Sequence, residues 1–198
     1  MYITVEGCIG SGKTSLVNEL NKTLKYAPLI EDFSNNPFLS GFYTDDPSSL
    51  FPTEIAFLLI HYKQLLSVNA EGNIISDFSI MSNMVFGEVN LIEPRGKSIF
   101  LKLYEYLETY LPKPDVTILL QCDSGLLHKR IKKRNQLHDA SITFEYLDKI
   151  NSFYKNKYKH ILCENSVKVV EVNAGEFDFI NNRSDFEKLS QIILREIN

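Results

Sequence analysis

Apolar and polar positions follow two rhythms along this chain. Short runs rich in apolar residues recur at 2–6, 27–31, 73–77, 115–121 and 167–172. Runs of that length read as buried strands, and Asp115-Val-Thr-Ile-Leu-Leu-Gln121 is the clearest, nearly all apolar and β-branched at its start. Between the runs, apolar residues return at helical spacing. Leu16, Leu20 and Leu24 mark a helix over 15–24, and Ile55, Leu58, Leu59, Tyr62, Leu65 and Leu66 mark one over 47–69. The segment 80–91 is apolar enough for a buried helix, and Pro94-Arg-Gly96 is expected to separate it from the next. That next helix carries Ile99, Leu103, Tyr104, Leu107 and Leu111 and ends at Pro112-Lys-Pro114. Further helices are expected over 125–134, with Ser124 as N-cap, and over 144–159 and 185–197. Residues 34–46 read as a long polar and aromatic loop. Strands alternating with helices imply right-handed crossovers and one five-stranded parallel sheet covered on both faces. Neither repeats nor a linker break the pattern, so a single α/β domain over 1–198 is expected.

The first strand runs straight into Gly7-Cys-Ile-Gly-Ser-Gly-Lys-Thr14, which fits G-x-x-x-x-G-K-[ST]. Strand, glycine loop and helix together are the context this phosphate-binding loop, the P-loop, requires. Gly7, Gly10 and Gly12 allow a backbone that approaches an anion, with Cys8, Ile9 and Ser11 completing the loop. Loop N–H groups and the positive end of the following helix then face phosphate. Lys13 brings a mobile charge to the outer phosphates, and the Thr14 hydroxyl suits Mg²⁺. These features predict nucleoside triphosphate binding and leave the phosphate acceptor open.

Composition narrows the classes. The 198 residues are 44% hydrophobic, enough for a sizeable core. A net charge of −4 argues against a large nucleic-acid-binding surface. Cys8, Cys122 and Cys163 are far apart and odd in number, which suits a reducing cytosol rather than a disulfide or zinc framework. Neither a leader peptide nor a membrane span is expected, so the chain reads as cytoplasmic.

Carboxylates close two strands, at Glu31 and at Asp77, on the sheet edge where ligands bind in open α/β folds. Glu54 and His61, seven apart, share a face of the helix over 47–69, either a working face or a solvated one. Lys129-Arg-Ile-Lys-Lys-Arg134 closes another helix. It is either a basic end that complements the helix dipole or part of a lid over the phosphates.

With these motifs assembled, the chain resembles the deoxynucleoside kinases, closest to the bacterial purine-type members. The resemblance runs from residue 1 to about 180. It rests on Glu6-Gly-x-Ile-Gly-Ser-Gly-Lys-Thr14, Asn36-Pro-Phe-Leu39 with Phe42-Tyr43, Ser76-Asp77, Leu111-Pro-Lys-Pro-Asp115, Lys132-Lys-Arg134 and Glu145-Tyr-Leu147. It implies a P-loop NTPase-type three-layer fold with a basic lid at about 130–142, ATP as phosphate donor, Mg²⁺, a deoxynucleoside acceptor and a homodimer. It also implies roles. Glu31 would be the base on the 5′-hydroxyl, and Asp77 would lie near Mg²⁺ and the phosphates. Tyr43 would contact the sugar 3′-hydroxyl. Arg130 and Arg134 would close on the donor phosphates, and Asp139 would fall near the lid acid that reaches the sugar. Glu54 stands where the family has a base-reading glutamine, and His61 where it has an arginine near the base. Other departures are Asp32 for a proline, Phe78 for an arginine and Gln136 for a lid arginine. An ionised carboxylate at Glu54 only accepts hydrogen bonds, which suits guanine, whereas a protonated one can donate toward adenine. A thymidylate-type monophosphate kinase and a nucleotide-binding module with weakened catalysis are the alternatives. The helix over about 97–111 is the expected dimer surface.

Overall fold

The structure, a computed structural model, describes residues 1–42, 46–68, 72–134 and 139–197. Five strands form one wholly parallel sheet: β1 (Tyr2–Gly7), β2 (Ala27–Leu29), β3 (Ile74–Ser76), β4 (Val116–Gln121) and β5 (Lys168–Asn173). Their order is β2-β3-β1-β4-β5, so β1 is central. Ile3 pairs in register with Ile75 on one side and Val116 on the other. All six residues of β1 are buried, which is why that run shows no alternation.

Nine α-helices flank the sheet among the described residues: α1 (Lys13–Leu24), α2 (Leu39–Phe42), α3 (Leu50–Leu66), α4 (Ser82–Asn90), α5 (Pro94–Glu108), α6 (Ser124–Arg134), α7 (Phe144–Phe153), α8 (Lys159–Glu164) and α9 (Arg183–Ile197). A π-helical turn, Tyr154–Tyr158, joins α7 to α8. It turns both of its tyrosines inward, their rings 4.8 Å apart, behind the central strand.

Four local expectations change. The two helices are separate as expected, but the break falls at 91–93, and Pro94 opens the second helix rather than lying in the break. Glu93 accepts from the N–H groups of Arg95 and Gly96, and a proline at the first helical position loses no bond the helix needed. Asp123, not Ser124, caps α6, accepting from Gly125 and Leu126, while Ser124 Oγ donates to Asp148. Pro47–Ser49 is a 3₁₀ turn capped by Asp46, so the long helix begins at Leu50. Within the expected loop, Leu39 buries and carries the short α2.

The seam between α4 and α5 is closed by Gly87. A Cβ there would sit 2.3 Å from a ring carbon of the fully buried Phe100. Alanine normally gains about 1 kcal/mol over glycine inside a helix. Here the clash dominates, since overpacking costs roughly 1–3 kcal/mol. Gly87→Ala is therefore expected to lower the melting temperature; an unchanged or raised value would show that the seam is looser than described.

Candidate active site

The P-loop leaves β1 and enters α1 in one turn. Gly12 has φ 99°, and a Cβ there would lie 2.8 Å from the buried Phe179 ring, so only glycine fits. Lys13 Nζ donates to the Gly7 and Cys8 carbonyls at 2.9 and 3.3 Å, placing its charge at the loop mouth. Cys8 is buried with its thiol on the Leu147 carbonyl, and burial pushes that thiol up to about 12, which suits a packing role.

Asp77 joins this loop to the neighbouring strand end. Its Oδ2 accepts from the Thr14 hydroxyl at 2.5 Å, and its Oδ1 accepts from the Glu31 N–H at 2.8 Å. Burial raises the Asp77 carboxyl, and these two donors work against that rise. Glu31 is thereby brought to the P-loop edge. Its Oε1 lies 3.0 Å from His61 Nε2, the Glu31 side chain being 35% exposed and that of His61 5%. Burial acts to raise the Glu31 carboxyl, but His61 and Lys13 outweigh it and the net direction is downward, toward the ionised form.

The turn after Glu31, where the resemblance implies a less rigid Glu31-Asp32 pair, is fixed by hydrogen bonds. Gln64 on α3 donates to the Ile30 carbonyl at 2.9 Å and accepts from the Asp32 N–H at 3.3 Å. The Asp32 carboxylate in turn accepts from Ser34 and Asn35.

Glu54 and His61 are both buried, so the face they share is an interior one. It meets α4 through two polar pairs. Asn83 Nδ2 lies 2.9 Å from His61 Nδ1, and Asn90 Nδ2 donates to Glu54 Oε1 at 2.7 Å. Asn83 and Asn90 are also seven apart. Sequence reading missed both asparagines, and that matching spacing is the signal that could have found them. Phe78, the arginine replacement, is buried with its ring 4.6 Å from that of His61.

The lid arginines contact protein groups. Arg130 Nη2 donates to the Ala174 carbonyl at 2.9 Å, and Arg134 makes a two-point pair with Asp139 at 2.5 and 3.0 Å. Asp139 is thus brought to Arg134. Tyr43, Gln136 and the lid stretch between Arg134 and Asp139 lie outside the described residues. Glu6, behind the P-loop, is fully buried and its oxygens make no well-formed hydrogen bond. Burial pushes its carboxyl up to about 7, with Ser79, Lys13 and Tyr158 acting in the opposite direction.

Residues 3–197 match the sequence family described as "Deoxynucleoside kinase". The chain belongs to the deoxynucleoside kinase family. Among its relatives, deoxyguanosine kinase of Bacillus subtilis (strain 168) is 31% identical over 195 residues, covering 96% of this chain and 94% of that one. The deoxyadenosine/deoxycytidine kinase of the same organism is 27% identical, covering 94% of this chain and 88% of that one. In three dimensions the chain is similar to deoxyadenosine kinase from M. mycoides, solved with the products dCMP and a flexible dCDP. The TM-score is 0.85 at 25% identity, over 100% of this chain and 99% of that one. The family shares the P-loop NTPase fold, and the five-stranded parallel sheet seen here is that fold.

Burial pushes the Glu54 carboxyl from an ordinary 4.5 to about 7, with the Asn90 bond opposing. A carboxyl raised in the folded state binds its proton more tightly there than in the unfolded chain. Its ionisation therefore destabilises the fold progressively from the unfolded to the folded value, between 4.5 and about 7. Glu54→Gln should melt above the parent at pH 8 and lose much of that advantage at pH 5. An equal difference at both values would show that Glu54 does not titrate in this range.

Proposed function

We propose that this chain transfers the γ-phosphate of ATP to the 5′-hydroxyl of a purine deoxynucleoside, giving the 5′-monophosphate for nucleotide salvage. The observation that carries the reading is the bridge at Asp77, which sets a half-exposed carboxylate, Glu31, beside the P-loop. Glu31 takes the proton of the 5′-hydroxyl as the new O–P bond forms and ADP leaves. The loop from Gly7 to Thr14 cradles the donor phosphates, and Lys13 moves its ammonium from carbonyls onto the outer ones. Arg130 and Arg134, on the lid over 130–142, exchange their present partners for the transferring group. Asp139 and Tyr43 take the sugar side. ATP as donor is supported by structures of the M. mycoides enzyme with dCTP and with dATP.

The donor set suits Mg²⁺. Thr14 and Asp77 bring two hard oxygens together at the phosphate site, and a site completed by nucleotide phosphates and water needs few protein ligands. When bound there, Mg²⁺ neutralises charge on the β- and γ-phosphates.

In this reading the acceptor lies along the α3–α4 seam, from Glu31 toward Glu54. Glu54 and His61 stand two helical turns apart, about 10 Å by helix rise. That is comparable to a nucleoside measured from its 5′-oxygen to the far edge of its base. With the 5′-hydroxyl at Glu31, the base edge falls near Glu54. The relatives named as deoxyguanosine and deoxyadenosine kinases support a purine.

No helix among the described residues is long and apolar enough to cross a membrane, in keeping with a cytoplasmic enzyme. A homodimer is supported by exposed apolar residues on the paired helices α3 and α5: Leu59, Leu66, Ile99 and Tyr106.

ADP release with ATP and Mg²⁺ should be fastest on a free purine deoxynucleoside, among the four deoxynucleosides and their monophosphates. Turnover on monophosphates alone would move the chain to the thymidylate type, and no turnover with ATP still bound would make it a binding module. Glu31→Gln should lower turnover by roughly 10²–10⁴-fold with ATP affinity kept; a full rate would remove Glu31 as base. By light scattering the chain should weigh twice its formula mass, and Leu59→Glu with Ile99→Glu should halve that. A monomeric parent contradicts the dimer.

A further inference from the structure

Glu31 sits on the coil leaving β2, with its side chain 35% exposed, so packing alone does not set its rotamer. The neighbour that can set it is built into the core. His61 is buried on α3, with the Phe78 ring centred 4.6 Å away and the Phe57 ring 5.8 Å away. Its second nitrogen meets Asn83. The Asn83 Nδ2 lies 2.9 Å from His61 Nδ1 and 3.1 Å from the Ile80 carbonyl. An amide nitrogen has two hydrogens and cannot accept. The Ile80 carbonyl, an acceptor only, therefore fixes the orientation of the amide, and the remaining hydrogen points at Nδ1. Nδ1 must then be the acceptor, which leaves the imidazole proton on Nε2, facing Glu31 Oε1 at 3.0 Å. The approach is close, but the N–H is not aligned on the oxygen, so the pair is a contact between facing groups that a turn of the half-exposed carboxylate would convert into a hydrogen bond.

We infer that His61, held in its Nε2–H form by Asn83, is the positioning residue that fixes the Glu31 carboxylate and presents its other oxygen, Oε2, to the acceptor hydroxyl. This rests on the reading of Glu31 as base. During transfer the 5′-hydroxyl proton passes to Oε2 while the O–P bond forms and ADP leaves, and His61 keeps its proton throughout. Its work is orientation, so its loss should appear in the chemical step and not in nucleoside binding. Because Nδ1 is held by Asn83 and Nε2 faces Glu31, His61 acts on the carboxylate and not on the base.

The test combines kinetics with the ring's tautomer. His61→Phe keeps an aromatic ring between Phe57 and Phe78 but removes the donor. It should lower kcat about 10–100-fold, the scale of a misplaced reacting group, with the nucleoside KM changed less than about 3-fold. His61→Gln, which keeps a donor near the Nε2 position, should recover most of that loss. In the Glu31→Gln background, His61→Phe should add almost nothing, because the two act as a unit. ¹⁵N spectra of the histidine-labelled parent should show His61 as the neutral Nε2–H form, and Asn83→Leu should disturb that signal and lower kcat. A raised KM with kcat kept would make His61 a base contact and overturn the inference. So would a His61→Gln variant no better than Phe, additive losses in the double variant, or an Nδ1–H ring in the parent. A Glu31→Gln enzyme as fast as the parent would instead remove the reading of Glu31, and the positioning role with it.

Discussion

The carboxylate of Asp77 is the joint on which the site depends. One oxygen holds the first residue pair of α1 through Thr14, and the other holds the backbone of Glu31. Asp77 follows β3, which lies between β1 and β2 in the sheet. A parallel sheet brings the C-terminal ends of all its strands to one edge, and Asp77 stands between the two that matter here. Without it the P-loop and the acceptor-side carboxylate would be two separate features of adjacent strands. Its burial makes the joint costly to form and costly to break, since a desolvated carboxylate that loses its donors is destabilising.

Around that joint, the seam between α3 and α4 carries polar pairs where two helices would ordinarily pack apolar side chains. His61–Asn83 lies toward Glu31, and Glu54–Asn90 lies two turns away. Each pair places an asparagine donor against a group whose proton position matters. Buried polar groups of this kind fix geometry only when they are satisfied. The departures of this chain from its family fit together at the same place. Phe78 is buried with its ring tilted against that of His61. The turn at Asp32 is held by Gln64, which donates to the Ile30 carbonyl and accepts from the Asp32 N–H.

Much of this was legible in the residues because their physical causes are local. The inner strands β1 and β4 are near-continuous buried runs, as inner strands of a parallel sheet must be, whereas the edge strand β5 alternates, and the P-loop is one short motif whose glycines have a single structural meaning. Glu31 and Asp77 were legible as strand-end carboxylates. What escaped has tertiary causes. Pro94 reads as a breaker until Glu93 is seen capping the turn it opens. The shared face of Glu54 and His61 could be solvated or buried, and only the position of α4 decides it. Gln64 gives no signal within its helix, because its role is fixed by a turn 32 to 34 residues earlier in the chain. The fully buried Glu6, without a well-formed hydrogen bond, looks in sequence like the end of an ordinary strand.

The proposed phosphoryl transfer depends on where the acceptor lies. A crystal structure of the protein with a purine deoxynucleoside and a non-hydrolysable ATP analogue should place the 5′-hydroxyl within hydrogen-bond reach of Glu31. The analogue's phosphates should lie in the loop from Gly7 to Thr14, and the base edge near Glu54 and Asn90. A nucleoside bound away from Glu31, or oriented with its base at the P-loop, would contradict it.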